Sequence, residues 1–193
     1  MVNNIIKQFE KNTINLISYS DPYTKSIFLR ELIAKSRNKI IYLDFDLLFS
    51  GYIRSNIISK SENLSLFQVK KQTWESILQQ TILEISSNKS TIIIDSINVF
   101  YNLFTERSDV GRFINSSIML LANSAKISNS IILVSVFIPR REKTVEETPR
   151  HIIETQLLSK FSLDRQNSSL TISTHSKASS EQVMKIEIQS ELI

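Results

Sequence analysis

Glycine is scarce in this sequence. Only two glycines, Gly51 and Gly111, occur among 193 residues, whereas an average usage of about 7% would give about 13. Any function that needs several glycines in one loop is therefore excluded. Cysteine is absent, which excludes disulfides and thiolate metal sites. Two histidines, His151 and His175, are too few for a conventional histidine-rich zinc site.

Long apolar runs are absent too. No stretch reaches the roughly 18 apolar residues from which a membrane-spanning helix is recognised. The N-terminal residues 1–11 include Lys7, Glu10 and Lys11 and lack the apolar core of a signal peptide. We therefore expect a cytoplasmic protein without a membrane partner.

The totals that remain are those of an ordinary folded domain. The hydrophobic fraction is 41% and the charged fraction 22%, which argues against disorder. A chain of 193 residues is long enough for one domain and short for two. We predict a single domain over 1–193, with an N-terminal helix at 1–11 and a C-terminal β-meander at 152–190. The net charge of +4 permits binding to nucleic acid or to acidic protein without requiring it.

Apolar strands alternate with helices along most of the chain. Continuous apolar runs predict strands at 13–19, 39–44, 90–95 and 130–138. Helical spacing predicts helices at 1–11, 24–36, 68–86 and 107–127 and is compatible with one at 97–104, while 45–67 shows no regular pattern. Alternating segments predict antiparallel strands at 152–163, 168–175 and 182–189. This order is typical of an α/β fold in which helices cover both faces of a mostly parallel sheet, here with an antiparallel C-terminal extension.

The first strand-to-helix junction has the position of a phosphate-binding loop. Such loops read G-x-x-x-x-G-K-[ST], and here the sequence is YSDPYTKS. Lys25 and Ser26 match the lysine and hydroxyl positions, whereas Tyr19 and Thr24 replace the glycines. A phosphate cradle needs inward-turned N–H groups, which these side chains oppose. Two interpretations stay open: residual phosphate and magnesium contact, or a solvated first helical turn.

Three carboxylates follow two of the predicted buried strands. Asp44 and Asp46 lie at the end of strand 39–44, and Asp95 ends strand 90–95. Residues two apart on an extended chain point to one face, and ligands bind at the carboxyl ends of parallel strands. Together the three could surround a cation, with Asp95 as its main ligand. Alternatively, they solvate and cap the strand ends.

Aromatic residues cluster around the strand that ends in Asp95. Trp74 lies on the apolar side of the predicted helix 68–86, and Phe100, Tyr101 and Phe104 follow the strand. An exposed cluster of this kind would bind a partner. The helical spacing of their apolar neighbours favours the core instead.

The order of these landmarks resembles the core of the RecA superfamily, and especially the archaeal RadA and RadB recombinases and their paralogues. EKNTINLISYSDPYTKS resembles the family's lead-in and phosphate loop. IIYLDFDLLF resembles its second strand, with Asp46 at the glutamate that positions the attacking water, and STIIIDSINVF its magnesium-linked strand, with Asp95-Ser96 as the Asp-Ser pair. The likeness covers roughly 10–190 and implies a RecA-like P-loop NTPase fold.

The sequence departs from this family where catalysis takes place. The phosphate-loop glycines are missing, Asp46 is one methylene shorter than the family glutamate, and 139–150 replaces a glycine-rich DNA loop. Val136-Phe137 stand where recombinases often carry Asn-Gln. The strands that determine the fold resemble those of the family, whereas the loops that carry its catalytic residues do not. We therefore favour a non-enzyme, with Asp46 and Asp95 as vestigial catalytic residues and Thr24, Lys25 and Ser26 as vestigial nucleotide contacts.

The resemblance also implies a DNA-facing position for the loop after strand 130–138. Its basic residues Arg140, Arg141, Lys143 and Arg150 are candidates for contact with the DNA backbone, and such contacts weaken as salt rises. Three glutamates in the same loop leave open that it is merely solvated.

Three functions are compatible with these features. The first is a non-catalytic recombinase paralogue, an accessory binding module of DNA recombination or repair that contacts an active RadA-type recombinase or its own copies, with DNA as a further candidate partner. The second is a weak or atypical ATPase of the RecA/KaiC type, which would need ATP and Mg²⁺ at Lys25, Ser26, Asp46 and Asp95. The third is a structural subunit of a RecA-like ring, comparable to the Elongator accessory ring. We expect no cofactor under the first and third.

Overall fold

The computed structural model describes residues 2–10, 13–139, 158–166, 169–175 and 182–187. The helices are α1 (Val2–Phe9), α2 (Pro22–Lys35), α3 (Leu48–Arg54), α4 (Trp74–Ser87), α5 (Ile97–Leu103) and α6 (Val110–Ile127). The strands are β1 (Ile14–Tyr19), β2 (Lys39–Asp44), β3 (Leu64–Gln68), β4 (Ser90–Asp95), β5 (Ile131–Phe137), β6 (Leu158–Gln166), β7 (Ser169–His175) and β8 (Gln182–Glu187).

The eight strands form one sheet in the order β3-β2-β4-β5-β1-β6-β7-β8. From β3 to β6 every neighbouring pair is parallel, and β7 and β8 extend the sheet in antiparallel fashion. The predicted fold class, a mostly parallel sheet flanked by helices with an antiparallel C-terminal extension, is confirmed.

Two hydrophobic layers cover the two faces of this sheet. One contains the buried residues of α4, α5 and α6, and the other those of α1, α2 and α3. Neighbouring residues of a central strand alternate between them: Ile92 and Ile94 face the first layer and Ile93 the second. Burial on both faces explains why the central strands are apolar at nearly every position.

The predicted core position of the aromatic cluster is confirmed. Trp74, Phe100 and Phe104 are buried, and Tyr101 packs half-buried against the same layer. The Phe100 ring stacks on Phe45 at 4.4 Å between centroids and lies 4.7 Å from Trp74. In the part of the chain that the structure describes, no helix is long and apolar enough to cross a membrane.

One detail of the predicted architecture was wrong. The segment 45–67 contains helix α3 and most of the edge strand β3, rather than irregular chain. β3 has one fully buried residue, Leu64, because it lies at the edge of the sheet, and it therefore lacks the long apolar run of a central strand. The three C-terminal strands follow the prediction: β6 joins the sheet in parallel with β1, and the pairs β6–β7 and β7–β8 are both antiparallel.

Candidate functional site

Four parallel strands bring polar residues together at their carboxyl ends. β1 ends at Tyr19 and leads into α2, which carries Lys25. β2 and β4 pair in register so that Asp44 lies beside Asp95, and the next strand, β5, contributes Ser135. The site is therefore assembled at the edge of the sheet where ligands bind in α/β folds.

Lys25 is at the centre of this group and is buried, with 1% of its side chain exposed. Its Nζ lies 2.8 Å from Asp46 Oδ2 and 2.8 Å from Asp95 Oδ1. The ring centroid of Tyr19 lies 5.1 Å from the same nitrogen, so the Tyr19 ring covers the ammonium. The interpretation of Lys25 and Ser26 as a solvated helical turn is wrong, because tertiary contacts bury both side chains.

Asp95 is the most heavily bonded acid of the site. Besides the Lys25 ammonium it accepts hydrogen bonds from the hydroxyls of Tyr42 on β2 and Ser135 on β5. Burial raises the pKa of Asp95, and the Lys25 charge opposes that rise. Burial alone would lower the pKa of Lys25, but the charges of Asp95 and Asp46 outweigh it and raise the pKa, so the lysine stays an ammonium.

Asp44 and Asp46 organise the start of α3. Asp44 Oδ2 accepts from the Ser50 backbone N–H at 2.7 Å and from the Ser50 hydroxyl, and Asp46 Oδ1 accepts from the Leu48 N–H at 3.0 Å. Leu47, between Asp46 and the start of α3, takes a φ of 61°, a left-handed conformation that is uncommon for a leucine. Burial raises the pKa of Asp44 to about 6, although the Ser50 hydrogen bonds oppose this.

The predicted meeting of Asp44, Asp46 and Asp95 occurs, and one oxygen from each lies within 4.8 Å of the others. The positive charge in contact with two of them is the Lys25 ammonium. Mg²⁺ requires near-ideal octahedral oxygen coordination, and oxygens of Asp46 and Asp95 are already bonded to Lys25. The arrangement therefore does not fit a magnesium ion while Lys25 keeps this position.

The first turn of α2 has its hydrogen bonds made within the chain. The Asp21 carboxylate accepts from the N–H groups of Tyr23 and Thr24 at 3.2 and 3.0 Å and from the Thr24 hydroxyl at 2.5 Å. The Ser26 hydroxyl donates to the Pro22 carbonyl at 2.9 Å. Thr24 and Ser26 are both buried, so neither hydroxyl of the predicted nucleotide-contact set faces solvent.

Two residues of the site outside the predicted set carry a signal in the sequence. Tyr42 and Ser135 are polar residues inside strands that are otherwise apolar, which marks them as bonded to something buried. The Asp21-Pro22 pair, by contrast, predicts a turn or a helix start, and Asp21 is the N-cap of α2. The proposed DNA contacts Arg140, Arg141, Lys143 and Arg150 lie outside the described residues.

Comparison with known proteins identifies the fold. Neither a scan of protein-family models nor a search of curated proteins gives a match. Among solved structures, the crystal structure of the RadB recombinase matches with a TM-score of 0.63, over 94% of this chain and 90% of that one. The chain has a RecA-like fold. The two sequences are 13% identical, so the likeness is one of fold.

The RecA-like fold explains why the candidate residues converge. The junction after β1 and the ends of β2 and β4 meet at one edge of the sheet, as the sequence resemblance implied. What the individual side chains do there follows from their contacts in this chain, in which the lysine and all three carboxylates are bonded to one another or to α3.

Proposed function

We propose that this chain is a non-catalytic RecA-like protein of DNA recombination or repair, which acts as an accessory binding module and does not hydrolyse ATP. The observation that carries the proposal is the burial of Lys25 between Asp46 and Asp95. In an ATPase of this fold, the same lysine must reach phosphate oxygens.

Releasing Lys25 for a nucleotide has a large energetic cost. Asp95 is fully buried, and a buried carboxylate that loses its partner costs about 3–5 kcal/mol. The lysine would also have to leave from beneath the Tyr19 ring. A bound triphosphate would have to offset both effects before any net binding appeared.

The acid that would position an attacking water is also engaged. Asp46 Oδ1 accepts from the Leu48 N–H and Oδ2 binds Lys25. A general base needs an oxygen within hydrogen-bonding reach of the water it activates. Both oxygens of Asp46 have partners within the chain, which argues against this role.

The binding partners are proposed from the resemblance and the sequence. A protein partner, either an active RadA-type recombinase or another copy of this chain, would use the fold as a scaffold. DNA would be contacted through the basic residues of the 140–150 segment. A stable homo-hexamer without DNA binding at low salt would instead favour a structural ring subunit.

Phosphate release from ATP, measured with and without single-stranded DNA, tests the proposal. The unchanged chain is expected to release no more phosphate than the Asp95→Asn variant, which lacks the carboxylate that an ATPase would need. DNA-stimulated release that disappears in Asp95→Asn would contradict the proposal and support the weak ATPase.

A further inference from the structure

Helices α4 and α6 lie side by side over one face of the sheet. They pack against each other, and they precede the neighbouring parallel strands β4 and β5, so both run in the same direction. Their C-terminal ends are linked through Ser130, whose hydroxyl donates to the Asn88 carbonyl and accepts from the Ser90 backbone N–H. The outer sides of the two helices therefore form one continuous surface.

The exposed residues in the middle of this surface carry no charge. From 76 to 87 on α4 and from 113 to 125 on α6, both described in full by the structure, the exposed residues are Ser76, Gln79, Gln80, Leu83, Ser86, Ser87, Ser116, Leu120 and Asn123. We call these nine residues the α4/α6 face. A protein surface usually carries a charge on about a quarter to a third of its residues, so about two or three charges would be expected here.

Charged residues surround the α4/α6 face at its rim. Glu75 and Arg112 lie towards the N-terminal ends of the two helices, and Lys126 lies near the end of α6. Glu84 is half-buried at the side of α4 and pairs with Lys39. An uncharged centre inside a polar rim is the usual arrangement of a protein–protein interface.

Three large apolar side chains lie on this face or next to it. Leu83 is 72% exposed, Leu120 is 47% exposed, and Ile127 at the end of α6 is 75% exposed. Leu83 and Ile127 are the most exposed large hydrophobic residues in the described part of the chain. At about 1.5 Å per residue, the three lie within about 10 Å of one another along the helix axes. Single exposed apolar residues are common, whereas a group of them marks an interaction site.

We propose that the α4/α6 face binds a second copy of this chain in a symmetric dimer. The inference deepens the proposed function, on which it rests only in the expectation that the chain acts through a protein partner. In a symmetric dimer the same surface contacts itself, so it must be complementary to its own charge and shape.

The charge of the α4/α6 face meets this requirement. Each copy has a net charge of +4, so two copies repel each other over most of their surfaces. A two-fold axis through an uncharged face brings no like charges together. A different partner would be selected by complementary charge, and the centre of this face offers none.

The shape of the face meets the requirement too, because large and small side chains alternate on it. Ser116 lies one turn before Leu120, and Ser87 lies one turn after Leu83, so each leucine has a serine as its neighbour on the same helix side. The leucines of one copy can therefore enter the spaces beside the serines of the other.

The expected dimer is weak. The face is about 18 Å long on two helices about 9 Å apart, which is at the low end of specific protein interfaces. We therefore expect a dissociation constant in the micromolar range.

Sedimentation velocity of the full chain, from about 1 to 100 µM, measures the association. The test variants are Leu83→Glu and Leu120→Glu, and circular dichroism verifies that these exposed changes leave the fold intact. Ile57→Glu is the matched control, because Ile57 is 53% exposed and follows α3, a helix of the opposite layer. Glutamate lowers the net charge of +4, so weaker association of a variant cannot result from general repulsion.

The unchanged chain and Ile57→Glu are expected to dimerise equally, and each leucine variant to raise the dissociation constant by about tenfold or more, because a charge is buried without a partner. A chain that is still monomeric at about 100 µM would overturn the inference. So would a dimer or larger ring that either leucine variant leaves intact, or one that Ile57→Glu weakens equally, because another surface would then hold it together.

These outcomes are separate from failure of the proposed function. ATP hydrolysis by the unchanged chain would contradict the non-catalytic role, whatever the oligomeric state. A chain that is inactive and monomeric would leave the non-catalytic role standing and remove only the dimer.

Discussion

Lys25 connects elements that are far apart in the sequence. It extends from α2 to Asp46, which follows β2, and to Asp95 at the end of β4. Asp95 in turn is bonded to Tyr42 and Ser135. A single buried ammonium therefore balances carboxylates from two strand ends, and its removal would leave them uncompensated in the protein interior.

We expect the variant Lys25→Met to lose about 3–5 kcal/mol of unfolding free energy, because a buried carboxylate is left without its partner. The double variant Lys25→Met/Asp95→Asn should lose less than the sum of the two single changes, by about 1 kcal/mol or more. Urea unfolding followed by the fluorescence of Trp74, the single tryptophan of the chain, measures all three.

The control for this cycle is Lys35→Met on the same helix. Lys35 is half exposed and pairs with Glu31 at the surface, so its replacement should cost about 0.5 kcal/mol or less. Equal losses of unfolding free energy in Lys25→Met and Lys35→Met would show that the buried ion pairs of Lys25 do not stabilise the site.

Asp44 gives the stability a dependence on pH. Burial raises its pKa from an ordinary 3.8 to about 6, so the folded state binds a proton more readily than the unfolded chain. Between about pH 4 and pH 6 the folded state therefore holds more protons, and the unfolding free energy falls as the pH rises.

Replacing Asp44 with Asn should remove this contribution, which is at most about 3 kcal/mol over the whole window. From pH 4 to pH 6, the unfolding free energy of Asp44→Asn should therefore rise relative to that of the unchanged chain. Urea titrations at several pH values measure it, with Asp164→Asn, a change at an exposed carboxylate, as the control. A difference that stays constant with pH would contradict the assignment.

At the scale of the elements, strong apolar periodicity was sufficient to predict a helix or a strand, and weak periodicity was not. β2, β4 and β5 are buried on both faces, so their apolar runs are nearly continuous and easily recognised. α3 buries only Phe49 and Ser50, which is too little to produce a helical pattern. Its start is fixed by the side chains of Asp44 and Asp46, which bond to residues six and two positions further along the chain, and not by apolar periodicity.

The Asp44 carboxylate holds the start of α3 through its hydrogen bonds to Ser50. Ser50 should therefore contribute more to the unfolding free energy than its small side chain suggests. We expect Ser50→Ala to cost about 1.5–3 kcal/mol, the usual range for a hydrogen bond to a charged group. Ser124→Ala on α6 is the control, since its hydroxyl donates to the carbonyl of Leu120 on the same helix, near the surface. Chemical unfolding of both variants should separate them, and equal costs would argue against a role for Asp44 in holding α3.

At the scale of the molecule, the order of strands and helices along the chain was enough to predict the fold class. The spatial order of the strands was not predicted, because pairing depends on long-range packing that local pattern does not contain. The positions of Lys25, Asp46 and Asp95 followed from the RecA-like resemblance. The ion pairs among these three residues depend on their burial and on the Tyr19 ring that covers Lys25. Sequence spacing alone does not reveal either feature.

DNA binding, if it takes place through the 140–150 segment, should be electrostatic. Affinity for a single-stranded oligonucleotide, measured by fluorescence anisotropy, should fall steeply with salt. Arg140→Ala/Arg141→Ala should reduce the salt slope by about 1 for each phosphate that the variant no longer neutralises. Arg54→Ala, a change at an exposed arginine of α3, is the control. An unchanged slope in the double variant would exclude these two arginines from DNA binding.

The measurement that tests the central claim most directly is a thermal-shift titration with ATP and magnesium, made on the unchanged chain and on Lys25→Ala. A bound nucleotide at 100 times its dissociation constant stabilises a protein by about 2.7 kcal/mol, or about 5–11 °C in Tm for a chain of this size. We predict no shift in either protein, because Lys25 and the start of α2 are already bonded within the chain. A shift of that size in the unchanged chain that disappears in Lys25→Ala would contradict this account and show that Lys25 still binds nucleotide.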